Sequence, residues 1–359
     1  MFDVFGDLKK QISTSGATTP KVSSWVFSCM KACMLITLLA CVLVTAKNYI
    51  GDNIRCITGT KDQEHKAIET YCFISSTFTL VDLDNTQPHP GVGPDAPRVK
   101  DDGEVEVVDN RRHAYYQWVP MMLMLQAVIF YLPIWLWGRV DKGFFKAAIC
   151  QLDKIHISDV SPNIECSAKY FAGSINTHRS YAFAFLMCEA LSFAFSVGNL
   201  FLTNKFLGGE FFRFGIGALH YLGMPASDPN NPLNEIFPKV AKCTWYKYGA
   251  SGTIQKLDSM CVLPLNIVNE KTYIFLWMVY MVTAFLIGIF FLTHIILFLF
   301  PNIRSTTLVF MAKSHQTKLD LQHVLPKCNY GDWFLMHNFR KNMAYFKEWV
   351  AAVRQEVVK

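Results

Sequence analysis

Eleven cysteines are the side chains of this 359-residue sequence best suited to covalent chemistry, and their positions sort them into groups. Cys56 and Cys72 follow the first of four long apolar runs, and Cys243 and Cys261 precede the fourth. Paired cysteines just outside membrane-length runs fit disulfide formation in an oxidising compartment, where such bonds persist. Four thiols can pair in three ways, and their spacing leaves all three open. Cys29, Cys33, Cys41 and Cys188 lie within the runs, while Cys150, Cys166 and Cys328 lie in segments assigned to the reducing, cytosolic side. In the first run Cys29, Cys33, Thr37, Cys41 and Thr45 recur every fourth residue, a ridge of small side chains that permits close helix approach. With no histidine beside them these thiols are read as packing groups, and no metal site is expected.

Other chemistry finds little support. The ten histidines are scattered, and the chain carries no glycine-rich phosphate loop, His-Glu-x-x-His pattern or nucleophile elbow. Neither a catalytic site nor a cofactor is expected. The formal charge of +6 comes without a basic run interleaved with aromatics, so nucleic acid is not expected as a partner. The basic residues are read instead as holding topology and meeting anionic membrane lipids.

The expected framework for these residues is a set of helices in a bilayer. With 52% hydrophobic, 14% aromatic and only 17% charged residues, the chain is too apolar for a soluble domain of its size. A helix needs about 20 apolar residues to cross the hydrocarbon core, and the runs 26–46, 115–137, 181–203 and 272–300 qualify. The expected fold is an all-α membrane protein with four transmembrane helices per subunit. Segments 47–114 and 204–271 then lie outside, and 1–25, 138–180 and 301–359 lie in the cytosol, both termini included. The net positive charge of the cytosolic segments and the net negative charge of 47–114 favour this orientation, as the paired cysteines do. The first run is too long for a cleaved signal and reads as a retained signal-anchor.

Few polar groups interrupt the runs. Lys31 and Glu189 are the intramembrane charges, with His294 in the fourth run. A carboxylate at mid-span must face other helices and find a hydrogen-bond partner there. Ser24, Ser28 and Lys31 share a face that suits the cytosolic mouth of a pore, the rival reading being a lysine that snorkels to headgroups. Tyr115, Tyr116 and Trp118 are read as rings at the outer boundary, and Trp135 and Trp137 as rings at the inner one, a positional role. Pro133 removes a backbone hydrogen bond within the second run, which makes it a candidate hinge. Asp101, Asp102, Glu104, Glu106 and Asp109 follow a proline-rich stretch and read as a solvated loop or a cation-attracting vestibule. The second outer segment looks folded without regular periodicity.

Particular residues resemble a known family. Tyr115-Tyr116-Gln117-Trp118-Val119 is similar to the signature of innexins, the invertebrate gap-junction proteins. The resemblance runs over nearly the whole chain, through Met1 to Gly6, Tyr49 to Asp52, Cys188 to Leu191, Lys247 to Gly249, Cys261 to Trp277 and Lys327 to Phe334. Asn53 and Ile134 depart from residues common there, a drift that fits a copy carried by an insect-associated virus as well as an insect protein. The resemblance implies a plasma-membrane, large-pore channel oligomer with disulfide-braced extracellular loops, Cys56 being joined to Cys261 and Cys72 to Cys243. It implies a pore funnel from the N-terminal residues Met1, Phe2, Asp3, Val4 and Phe5. It also implies homo-oligomeric rings of about eight subunits, docking with a hemichannel of an apposed cell, and hetero-oligomers with other innexins. Non-junctional pannexin-like hemichannels, four-span transporters and adhesion proteins are the alternatives. Absence of an Asn-x-Ser/Thr sequon favours outer loops free to dock.

Overall fold

The computed structural model describes residues 22, 24–58, 62–80, 91–93, 98–99, 105–106, 110–150, 152, 160–220, 233–312 and 314–358. The expected funnel, Met1 to Phe5, lies outside the described residues, as do Asp101, Asp102, Glu104 and Asp109 of the acidic stretch. The first part of the chain forms α1 (Trp25–Ile50), β1 (Arg55–Ile57), α2 (Asp62–Ser75), β2 (Thr77–Leu80), β3 (Arg98–Val99), β4 (Val105–Glu106), β5 (Asn110–His113), α3 (Val119–Asp141), α4 (Phe144–Ala148) and α5 (Ser161–Gly173). Then come α6 (Arg179–Phe206), α7 (Phe211–His220), α8 (Leu233–Ile236), β6 (Val240–Tyr248), β7 (Ile254–Val262), α9 (Pro264–Leu299), α10 (Pro301–Met311), α11 (His315–Val324), α12 (Tyr330–Asn342) and α13 (Phe346–Val358).

Helices α1, α3, α6 and α9 are long and apolar enough to cross a membrane. The fourth, α9, has 36 residues, about 54 Å at 1.5 Å per residue, and so exceeds the hydrocarbon thickness. It starts at Pro264, ahead of the apolar run that begins at 272: proline suits a first helical position, and two polar side chains of the first turns are held by neighbouring groups. Asn266 Nδ2 donates to Pro238 O at 2.9 Å, and buried Glu270 pairs with Lys239 at 3.2 Å. Likewise α3 begins only at Val119, the residues Tyr115–Gln117 forming a separate 3-10 turn.

The chain divides into two compact units. The first comprises residues 1–30, 131–194 and 285–359. Its core is aromatic: Trp349 lies fully buried among Phe171 and Phe339, and Phe185 packs against Trp137 and Phe334. Trp137 is thus a core residue and not the inner-boundary ring expected of it; stacking on Phe27 and ring contacts with Phe185, edge to face, and Tyr181, tilted, remove it from the surface. Trp135 does stay exposed, with Arg139 5.0 Å above its ring.

The start of α12 shows why Asn329 to Phe334 has the composition it has. Asn329 and Asp332 form a reciprocal capping box, satisfying backbone donors that the first turn leaves free. Asp332, fully buried, also pairs with His178 Nδ1 through Oδ1 at 2.9 Å and accepts from Asn176 N at 2.9 Å. Between them Gly331 lies so close to the His178 and Arg179 backbone that a β-carbon has no room. Gly331→Ala is expected to lower stability by about 1–3 kcal/mol, the usual cost of overpacking, measurable as a fall in melting temperature of the purified protein. An unchanged melting temperature would show that the α12 contact yields freely.

The second unit comprises residues 31–130 and 195–284. Here the structure adds a five-stranded antiparallel sheet, in the order β1-β7-β6-β2-β5, to the helical membrane part. The second outer segment, expected to lack regular period, folds as a nine-residue-per-strand hairpin of β6 and β7. Near the base β6 buries three consecutive residues, Ala241 to Cys243, and only β7 alternates there, while the tip is exposed on both faces. That is why the sequence shows no clean period of two.

Candidate functional site

Two features stand where function was expected: a covalent clamp in the sheet of the second unit, and a buried acid in the first unit. In the clamp, Cys56 on β1 lies directly opposite Cys261 on β7 and is bonded to it. Cys72, in the last turn of α2, is bonded to Cys243 on β6. The two bonds close over sequence separations of 205 and 171 residues and so tie the segment after the first apolar run to the segment before the fourth. All four cysteines are buried in one cluster with Ile54, Ile68, Ala241 and Leu263, flanked by Phe73 and Trp245. The sulfurs of Cys56, Cys72 and Cys261 lie within 4.8 Å of one another. Being disulfide-bonded, they offer no thiolate to a metal.

The Tyr115 to Val119 stretch has a chemical role that its reading as positional rings missed. Tyr116 OH donates to Phe73 O at 3.2 Å, and Gln117 Nε2 donates to the same carbonyl. Phe73 belongs to the last turn of α2, whose carbonyls have no partner within the helix. The motif therefore caps the helix that carries Cys72. Tyr115 OH donates to Ile236 O at 2.8 Å, reaching the segment just ahead of β6. Val119 is fully buried and opens α3, and only Trp118 is exposed in the manner of a boundary ring.

Below the sheet, hydrogen bonds join the long helices of this unit. Thr37 Oγ1 on α1 meets Tyr280 OH on α9 at 2.9 Å, and Tyr280 OH donates to Gln126 Oε1 on α3 at 3.3 Å. Gln126 Nε2 donates to Thr203 Oγ1 on α6 at 2.6 Å. Each of these side chains is buried. The ridge on α1 faces this network: Cys33 Sγ reaches Thr283 Oγ1 at 3.0 Å, and Cys41 Sγ reaches Pro120 O at 3.4 Å. Tyr280, Gln126 and Thr203 had no signal in the sequence beyond being polar residues inside apolar runs.

In the first unit Glu189, on α6, is fully buried. Ser24 Oγ donates to its Oε1 at 2.5 Å, and His294 Nδ1, on α9, meets its Oε2. Ser24 also caps α1, accepting from Val26 N at 3.1 Å, so one hydroxyl starts one helix and binds the acid of another. Ser24 is consequently buried and does not share an open face with Ser28 and Lys31, both of which are exposed. His294 was visible in the sequence as the ionisable group of the fourth run; its pairing with Glu189, 105 residues away, was not. Pro133 is buried within a helix that continues through it to Asp141.

The sequence matches the model of the Innexin family over residues 24–357. It is 35% identical to Innexin inx2 of Drosophila melanogaster, over 99% of this chain and 96% of that relative. It is equally 35% identical to Innexin inx2 of Schistocerca americana, over 99% of this chain and 98% of the relative. To Innexin shaking-B of Drosophila melanogaster it is 32% identical, over 96% and 91%. Four membrane-length helices, a sheet closed by two long-range disulfides, and these end-to-end matches together show that the chain belongs to the innexin family.

Proposed function

We propose that this chain is a gap-junction channel subunit that oligomerises around a central pore and passes ions and small molecules from cell to cell. Innexins are gap-junction channel subunits. The observation that carries the reading is the clamp: a four-span chain of this family whose two outer segments are covalently joined into one sheet. Docking to an apposed cell needs a surface of fixed shape, and a sheet anchored at its base supplies one. The hairpin of β6 and β7 leaves Tyr246, Tyr248 and Ile254 exposed, as side chains waiting for a partner surface would be.

In the full proposal both termini are cytosolic and the protein resides at the plasma membrane in contact with its lipids. The ring has about eight copies, as closed symmetry of like subunits permits, and other innexins can share it. Met1, Phe2, Asp3, Val4 and Phe5 fold into the pore as a funnel, and Pro133 serves as a hinge of α3. Because a pore-wall residue recurs once per subunit, a single charge such as Lys31 at the cytosolic mouth becomes a ring that sets ion preference. The mechanism is passive permeation with gating, with no catalytic step.

Dual recording from paired cells tests this. Cells that both express the protein are expected to pass current and small dyes directly into one another. Single-cell current without coupling would reduce the reading to a hemichannel. Saturable, substrate-specific flux with no intercellular current would replace it with a transporter.

A further inference from the structure

Away from the clamp and the buried acid, a second pair of cysteines is brought together. Cys150 follows α4 and Cys166 lies on α5, and their sulfurs are 2.9 Å apart although both are free thiols. That separation is inside ordinary sulfur contact, and the bonded distance of about 2.05 Å is reached by less than about 1 Å of movement.

The approach is built into the fold. Cys150 holds φ +50, in the left-handed region that L-residues seldom occupy, and its N–H donates to Ala147 O at 3.1 Å. This turn aims the side chain at α5. On either side of it Ile149 and Leu152 are fully buried, and Leu152 O accepts from Ala344 N at 3.3 Å. On the facing helix Ser167, next to Cys166, donates to Ala148 O at 2.8 Å and accepts from Trp349 Nε1 at 3.1 Å. Both backbones are thus pinned within one or two residues of the sulfurs, at a place where Cys166 itself is exposed.

We infer that Cys150 and Cys166 form a redox site, a dithiol that hydroperoxides convert reversibly to a disulfide stapling α4 to α5. This rests on the reading that places the segment in the cytosol, where disulfides are transient and redox-sensing and not constitutive. Exposed Cys166 meets the oxidant first: its thiolate attacks the O–O bond, giving a sulfenic acid and releasing an alcohol, or water from hydrogen peroxide. The Cys150 sulfur then attacks the sulfenic sulfur, the S–S bond forms, and hydroxide leaves with the thiol proton as water. Two thiols and one hydroperoxide become one disulfide, one alcohol and one water, with two electrons passing to the peroxide. Burial and the neighbouring sulfur push the Cys150 thiol up to about 12, so it acts as the resolving partner and not as the first nucleophile. A dithiol reductant reverses the bond by exchange.

The test uses full-length protein in cells treated or not with hydrogen peroxide, thiols being alkylated at harvest before non-reducing digestion and mass spectrometry. A peptide linking Cys150 to Cys166 is expected only after peroxide and is expected to vanish with dithiothreitol. Cys150→Ser should instead leave a sulfenic acid at Cys166 that dimedone traps, while Cys166→Ser should leave Cys150 alkylatable. Wild-type protein that shows both thiols alkylated after peroxide, or an over-oxidised Cys166 and no linked peptide, overturns the proposal. A linked peptide already present without peroxide also overturns it, as a constitutive bond, and in addition places the segment on the oxidising side, against the proposed topology.

Discussion

Loss of the Cys72 to Cys243 bond should abolish intercellular coupling while leaving the membrane helices assembled. The bond is the covalent hold on α2, a 14-residue helix otherwise retained by packing around Ile68, by the Cys56 N–H donated to Glu69 Oε1 and by the Tyr116 and Gln117 bonds to Phe73 O. Removing a native disulfide that closes so long a loop costs about 2–5 kcal/mol. An exposed outer layer of modest core has little stability to spare, so the docking surface should lose its shape. Cys56→Ser should be milder, because the backbone pairing of Arg55 with Val262 and Ile57 with Met260 persists without the sulfur link. The double variant Cys72→Ser/Cys243→Ser is the cleaner measurement, since it leaves no orphan thiol to reshuffle. Paired-cell conductance, read beside surface biotinylation, decides the matter: undiminished coupling in the double variant would mean that the clamp is dispensable for docking.

Replacing Glu189 should separate hydrogen bonding from charge. Glu189→Gln keeps an acceptor for Ser24 and a side chain of the same shape, so surface expression close to wild type is expected. Glu189→Leu deprives Ser24, the cap of α1, of its buried acceptor and removes the partner of His294. Each buried polar group left unsatisfied costs about 1–3 kcal/mol. The full cost falls on buried Ser24, whereas His294, whose side chain is 30% exposed, can recover part of it from water. Several-fold lower surface protein is therefore expected for Glu189→Leu, by quantitative surface labelling, with Glu189→Gln as the matched control. Equal assembly of both variants would remove Glu189 from any structural role, and loss in both would make its charge the essential property.

These two sites also mark where reading the sequence succeeds and where it stops. The four spans were legible because crossing a bilayer is a local property: about 20 apolar residues in succession suffice, whatever they later touch. Which cysteines fall within the runs and which between them was legible for the same reason, and mid-span burial made Glu189 demand a partner before any partner was known. Partner identity was not legible. Ser24 and His294 lie 165 and 105 residues from Glu189; His294 stood out as the ionisable group of the fourth run, but nothing in either neighbourhood pointed to Glu189 as the partner.

Of the three possible cysteine pairings, spacing alone chose none; the resemblance to innexins supplied one, and the sheet register of β1 with β7 gives the bond between Cys56 and Cys261 its geometric cause. Tertiary structure likewise changed the meaning of residues whose type had been read correctly. Trp137 is apolar enough for an interface or a core, and packing against Phe27, Phe185 and Tyr181 puts it in the core. Tyr116 and Gln117 sit at a span boundary, yet their polar atoms terminate α2. Local composition was enough to show which segments are long and apolar enough to span a membrane and which of their polar groups need partners, because transfer from water acts residue by residue. Only the fold decided which groups satisfy one another, because hydrogen bonds and disulfides depend on distances that long-range packing sets.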